Sequence, residues 1–513
     1  MLFNSYIFMF AFLPIVVCGF YVLGNYFNYR IAILWLVLAS WVFYGWWNPR
    51  YLLLLLLSIL VNYSIGGVFI KKGKIANKAD QKALLLIGVI FNLALLGYFK
   101  YANFFVDTVN VLAGANFHLA TIILPLAISF FTFQQIAYLV DAKKGKVVES
   151  NFINYCLFVS FFPQLISGPI VHHREMMPQF NRNSQFQAVM ENIAIGFVLF
   201  SIGLFKKVVI ADGMAKISNP MFAQAHSIGI VDPVYAWSAI LAYAFQIYFD
   251  FSGYTDMALG LGRMFGIKLP YNFNSPYKAA NIFEFWNRWH MTLSRFMRHH
   301  VYIPLVRNRK LKLGHQLSLV ISVLLGGLWH GANWTFIAWG GLHASYMLVN
   351  HGWHRLRRML GHNPSERSVT GIALGVIVTF VAGMFTRVFF RADSIDTAVI
   401  IIKAMLGLQD TGGAMNLIEH YSLSGFTVMA YVALLILVWF APNSQQWLAK
   451  YQPGINPELI VKDAKYLKHG NKTHFYDRLR FKLTPAWGVM IGIVFALALM
   501  NINHTVPFIY FQF

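Results

Sequence analysis

Thirteen stretches of this sequence are apolar over a length that can cross a bilayer, which takes about 17–25 residues each. They lie near 6–25, 31–47, 51–70, 83–99, 121–140, 152–171, 188–210, 231–249, 315–329, 333–350, 369–390, 425–441 and 485–502. Lipid offers the backbone no hydrogen bonds, so each stretch must satisfy its amides within itself as a helix, or lie inside protein. The chain is 58% hydrophobic and only 12% charged, where a soluble globular chain carries about 25% charged residues. The sequence therefore predicts an all-α polytopic membrane protein with eleven to thirteen spans, the remainder being re-entrant or interior. No internal repeat is evident, which weakens an inverted-repeat transporter.

The net charge of +22 comes from 41 basic and 19 acidic residues. Nucleic acid would be the usual partner for such a balance, but the basic residues sit in short segments between apolar stretches. That is the positive-inside pattern of cytoplasmic loops facing anionic membrane lipid, so no nucleic acid is expected. Five lysines between Lys71 and Lys82 follow three spans, which predicts an external N-terminus. Lys143, Lys144 and Lys146, the segment from Arg307 to Lys312, the segment from His354 to Arg367, and the loop 446–483 then fall inside. Phe513 falls outside. The count of crossings fails between 172 and 306, so something within 250–305 must enter the membrane without resembling a span. Polar backbone at that depth is tolerated only inside protein or along a cavity. Cys18 and Cys156, the two cysteines, lie in apolar runs and suggest neither a disulfide framework nor a metal site. The opening stretch has no basic flank or small-residue cleavage site and is expected to be retained.

Chemistry concentrates in two segments. Residues 250–305 mix acids, bases, glycines and aromatics, and ionisable groups at membrane depth are functional by default. Asp250 and Asp256 open that segment. A helix is predicted over 281–296, with Trp286 and Trp289 in its apolar stripe and Glu284 paired to Arg288 at i, i+4. His290 stands at the edge of the stripe, as a second catalytic group or a hydrogen-bond donor. The second segment, GGLWHGANWTFIAWGGLHASY over 326–346, holds His330 among glycines that permit close helix approach. A histidine there can take a proton from a hydroxyl and later return it; it can equally be a buried histidine bonded across helices. His343 reads as a packing residue. The pairs His172–His173 and His299–His300 lack a third ligand at convincing spacing, so no metal is expected. GxxxxGK[ST] and GxSxG are both absent.

Several long motifs in order resemble one family. FVSFFPQLISGPIV (158–171), FSGYTDMALGLGRMFGIKLPYNFNSPY (251–277), FWNRWHMTLS (285–294), YIPL (302–305) and GGLWHGANWTFIAWGGLH (326–343) are similar to bacterial membrane-bound O-acyltransferases of the alginate and peptidoglycan O-acetylation type. The resemblance implies one membrane-embedded domain over 1–513: N-terminal spans in 1–150, a catalytic core in 151–350, and C-terminal spans with the basic loop in 351–513. It implies a ring of spanning helices around shorter horizontal or re-entrant central ones, with His330 as the catalytic histidine and His290 as the second motif histidine. Asp250, Asp256, Trp286, Arg288, Trp289, Trp329, Asn333, Arg307 and Arg309 are the further residues expected at substrate.

The same resemblance implies a thioester donor, acetyl-CoA as co-substrate, with no resident cofactor. It implies an extracytoplasmic partner of the SGNH acetyltransferase type, a polysaccharide acceptor and a place in the inner membrane. After YIPL the family usually turns through Gly-Gly-Asn/Ser-Arg, whereas this chain reads Val306-Arg307-Asn308-Arg309, a departure at the expected cytoplasmic entrance. D-alanyl transfer from a carrier protein is the nearest alternative chemistry, and a secondary transporter or flippase is the alternative from another class.

Overall fold

A computed structural model describes residues 1–70, 77–147, 151–181, 189–308, 313–363, 368–409, 424–455, 480–502 and 508–509. Residues 71–76 of the first basic segment, the residues 309–312 and 364–367, and most of the loop 446–483 lie outside the described residues. Among those described, the regular elements are helices, apart from one isolated bridge between Pro270 and Ile455. Five helical runs are long and apolar enough to cross a membrane: Phe8–Tyr26, Pro49–Ile70, Ala79–Ala113, Val189–Ser227 and Val369–Arg391. Tyr29–Gly45, Gly425–Phe440 and Pro485–Met500 are shorter apolar helices. The protein is an all-α polytopic membrane protein.

The helix Pro233–Met264 organises the interior. At 1.5 Å per residue its 32 residues reach about 48 Å, beyond the ~30 Å of hydrocarbon. It runs fifteen residues past the end of the apolar stretch at 249, and every residue from Ala242 to Met264 is buried. The helix Val189–Phe205 packs closely on it because glycines meet at two levels. A Cβ at Gly253 would stand 2.7 Å from the Gly203 carbonyl oxygen, and one at Gly260 2.5 Å from that of Gly196. Small residues at such crossings let backbones approach where lipid supplies no hydrophobic drive between helices.

Several predicted elements are divided. The stretch 152–171 is not one span: Phe152–Ser160 ends at Phe161, whose ψ of 111° leaves the helical region, and only Phe162–Leu165 resumes it. Residues 154–171 are all buried, so the exposed ends of these short helices meet protein rather than lipid. The stretch 121–140 is helical only from Ile128. The helix predicted over 281–296 breaks into Ile282–Trp286 and Met291–Met297. Its middle is claimed by the extended segment before it: Asn274 donates its N–H to the Arg288 carbonyl at 2.9 Å, and Met291 N–H donates to Asn272 O at 2.9 Å. Periodicity registers only local preference, so it carries no trace of these long-range bonds.

Candidate active site

His330 sits at the tip of a helical hairpin. His315–His330 and Trp334–Met359 are joined by three residues, and Asn333 caps the second helix by accepting the Thr335 N–H at 2.9 Å. The two helices close tightly, since a Cβ at Gly340 would stand 3.0 Å from the Val323 carbonyl oxygen. The last turn of a helix leaves carbonyls without intrahelical partners. Here a remote segment supplies the donors. Tyr101 Oη donates to Leu328 O at 2.8 Å, and Lys100 Nζ donates to Trp329 O at 2.6 Å and His330 O at 3.2 Å. Lys100 and Tyr101 close a π-helical segment, Gly97–Tyr101, a wide turn frequently found at functional sites. Trp329 is stacked on Phe133 with centroids 5.6 Å apart, fixing the indole beside His330.

His290 comes from the other chemistry-bearing segment. It caps Met291–Met297 with a left-handed backbone, φ +42°, and its side chain is fully buried. His290 Nδ1 lies 3.2 Å from Asn272 Oδ1, which also accepts the Thr292 hydroxyl at 2.6 Å. The His290 and His330 ring centroids are 6.5 Å apart. The two motif histidines, forty residues apart in sequence, thus face one another inside the bundle.

His330 lines two cavities. One, of about 670 Å³, is also lined by Ser5, Trp46, Lys100, Ser129 and Trp329. The other is a narrow space of about 30 Å³ bounded by Trp286, Trp289, Trp339, His343 and Arg387. Their positions along the helices differ. Trp46 lies between the helix Tyr29–Gly45 and the start of the next, Pro49–Ile70, and the lysine-rich segment follows only the far end of that second helix. His343, by contrast, is nine residues, about 13 Å, beyond Trp334 toward the basic end of its helix at Arg357 and Arg358. The wide cavity lies at the end of the bundle away from the basic segments, and the narrow one lies on the side of His330 that faces them.

Aromatic rings wall the narrow space. Trp339 is 5.1 Å from His330 and 4.6 Å from His343 between ring centroids, and Trp286 is 5.1 Å from His343. His343 therefore does pack, as its spacing suggested, and also lines the cavity. Lys100 and Arg387 are the cations of the two cavities, and among the described residues neither has a carboxylate within ion-pair distance.

The expected substrate residues divide sharply. Trp329 lines the wide cavity, and Trp286 and Trp289 line the narrow one. Asp250 and Asp256 line neither: Asp250 pairs with Lys207 at 2.7 Å and accepts the Ile509 N–H at 3.0 Å, while Asp256 pairs with Lys206 at 2.6 Å and accepts from Ser444 Oγ at 2.7 Å. Arg288 is engaged by Glu284 at 2.9 Å, keeping the expected i, i+4 pair although the helix ends at Trp286, and it donates to Asn274 O at 3.1 Å. Asn333 serves as a helix cap and donates to Asp393 O at 2.9 Å. Arg307 is exposed at the end of the short helix Ile303–Arg307, and Arg309 lies outside the described residues. Lys100 and Arg387 are not among the residues the sequence singles out. The signal for both is a lone cation at the end of, or inside, an apolar stretch.

A buried histidine lining cavities on two sides, in a bundle of apolar helices, suits an enzyme that works within the membrane. Residues 142–392 match the MBOAT, membrane-bound O-acyltransferase family. The chain is 45% identical to a peptidoglycan O-acetyltransferase of Helicobacter pylori over 434 residues, 80% of each chain. It is 38% identical to a probable alginate O-acetylase AlgI of Pseudomonas aeruginosa, over 86% of this chain and 81% of that one. A teichoic acid D-alanyltransferase of Streptococcus thermophilus is 29% identical over 52% of this chain and 68% of its own. The chain belongs to the membrane-bound O-acyltransferase family and is an O-acyltransferase.

Proposed function

We propose that this enzyme moves an acetyl group from a cytoplasmic thioester, acetyl-CoA, to a hydroxyl presented on the outer side of the inner membrane, for O-acetylation of a polysaccharide. The observation that carries the reading is His330 lining both cavities, one on each side of it along the bundle. Relatives named for O-acetylation of peptidoglycan and alginate support acetyl as the group and a glycan as the final acceptor. The N-terminus is external in this reading, so the wide cavity admits the acceptor and the narrow one faces the donor.

An alcohol is a weak nucleophile near neutrality and needs a base. An imidazole nitrogen of His330 takes the hydroxyl proton as the oxygen forms its bond to the thioester carbonyl carbon. The tetrahedral intermediate then collapses, the C–S bond breaks, and the imidazolium returns the proton to the leaving thiolate. General acid–base assistance of this kind is worth about 10²–10⁴-fold. Lys100, bonded to the His330 carbonyl, holds the end of the helix that carries the base. His290, oriented by Asn272, stands across from it. Donor phosphates are drawn by Arg307, Arg309, Lys310 and Lys312, for which cationic side chains suit in charge and geometry. An extracytoplasmic SGNH-type partner receives the acetyl group and passes it to the polymer.

The test is complementation of a deletion strain with wild type or His330→Ala, both verified in the membrane, followed by assay of alkali-labile acetate in exopolysaccharide and cell wall. Acetate restored by wild type and not by His330→Ala is the expected outcome. Full restoration by His330→Ala removes the base. Deletion that changes D-alanine esters instead would move the reading to D-alanyl transfer.

A further inference from the structure

The narrow cavity behind His330 holds more polar hydrogen than its walls satisfy. Arg387, on the helix Val369–Arg391, is 6% exposed, with its guanidinium carbon over the rings of Tyr277 and Phe380 at 5.0 and 5.9 Å from their centroids. Among the described residues its Nη1 is buried without a hydrogen-bond partner, as are Trp286 Nε1 and His343 Nδ1. Gly383 makes room for the guanidinium, since a Cβ there would stand 2.8 Å from Nη1. These atoms belong to residues that line one space of about 30 Å³ together with His330. A water needs roughly 10–15 Å³ on that measure, so the space admits two water-sized groups, as an acetyl group presents in its methyl and its carbonyl oxygen. A buried cation with no acid beside it among the described residues, in a wall mostly of Trp, Phe and Ile with the two histidines and Thr386, is unfavourable unless the reaction supplies the negative partner.

We infer that this cavity is the acyl subsite, and that Arg387 Nη1 and Trp286 Nε1 are the hydrogen-bond donors for the carbonyl oxygen of the transferred group. The inference rests on the proposed thioester donor and deepens it. When the acceptor oxygen bonds to the carbonyl carbon, the π pair moves onto the carbonyl oxygen. That oxyanion then faces Arg387, and the pair returns as the C–S bond breaks. Donors held in advance of the charge, in a site closed to water, give the largest electrostatic stabilisation. The wall of Trp339 and Trp286 sets the length of acyl chain admitted.

The experiment uses the full chain in lipid nanodiscs and two unreactive probes. One is the ketone analogue of acetyl-CoA in which methylene replaces sulfur. The other is S-ethyl-CoA, which lacks the carbonyl. Wild type should prefer the ketone by about tenfold or more, the strength of a hydrogen bond to a charged donor. Arg387→Met should abolish that preference while leaving S-ethyl-CoA binding unchanged, a split that general loosening of the fold would not give. Should Arg387→Met not reach the membrane folded, Trp286→Phe, which removes the N–H while keeping an aromatic ring in the wall, decides in its place. A preference unchanged in the deciding variant, or absent in wild type, overturns the subsite. Failure of wild type to bind either probe overturns the thioester donor itself, and the subsite with it.

Discussion

Two interior regions of this protein carry lysines, and they are built on opposite terms. Around the central helix, Lys206 meets Asp256, and Lys207 is shared by Asp250 and Asp212 at 2.7 and 2.8 Å, with Ser444 and the Ile509 amide completing the network. Around His330, Lys100 donates, among the described residues, to neutral oxygens and Arg387 rests on aromatic rings. Both regions lie within a bundle whose outer surface is apolar. In the first, every charge is answered by the fold, and the result is architecture that pins the C-terminal residues 508–509 to the core. In the second, no carboxylate among the described residues answers either cation. The difference teaches how to sort ionisable residues in a membrane interior: the question is whether the chain itself supplies the counter-charge.

That division can be broken experimentally, beginning where the effect should be greatest. Lys207→Met leaves Asp250 and Asp212 buried without a cation, and loss of one partner from a buried pair costs about 3–5 kcal/mol. The variant should lose folded protein in the membrane, seen as a large drop in melting temperature in detergent. Folding as stable as wild type would show that the network is not structural. Lys100→Met should behave in the reverse sense, keeping its melting temperature within a few degrees while acetyl transfer falls about tenfold, the range of one charged hydrogen bond. A Lys100→Met enzyme that unfolds, or one that keeps full turnover, would erase the contrast. The smallest effect sharpens the assignment of Asn333: replacing it by alanine removes a helix cap worth ~1 kcal/mol. A modest fall in thermal stability with the donor-binding constant unchanged would mark it as a cap, and a changed binding constant would return it to the substrate site.

The apolar stretches make the membrane class legible because a bilayer demands length and hydrophobicity that composition records directly. His330 is legible as a candidate because an ionisable group at membrane depth is costly, while the residues alone leave a base and a buried packing histidine equally open. The break at 287–290 is not, since it depends on backbone bonds from 272–274 that no local periodicity encodes. Asp250 and Asp256 look like site residues because intramembrane carboxylates are costly, but their lysines lie 43 and 50 residues away in the sequence and answer them fully. Lys100 and Arg387 are hard to notice because each is a single charge, and its meaning appears only when helices 229 residues apart meet, as Lys100 and Trp329 do.

The backbone at His290 carries a consequence of its own. With φ at +42°, that position disfavours any residue with a Cβ by roughly 1–2 kcal/mol relative to glycine. Glycine would relax the chain there, and it would erase the imidazole in the same step. Histidine is thus held where its backbone is strained and its imidazole is fully buried against Asn272. His290→Gly and His290→Ala lose the same imidazole, so the margin by which the glycine variant is the more stable, about 1–2 kcal/mol, would read the backbone contribution alone, much as a spring's tension is read by releasing it.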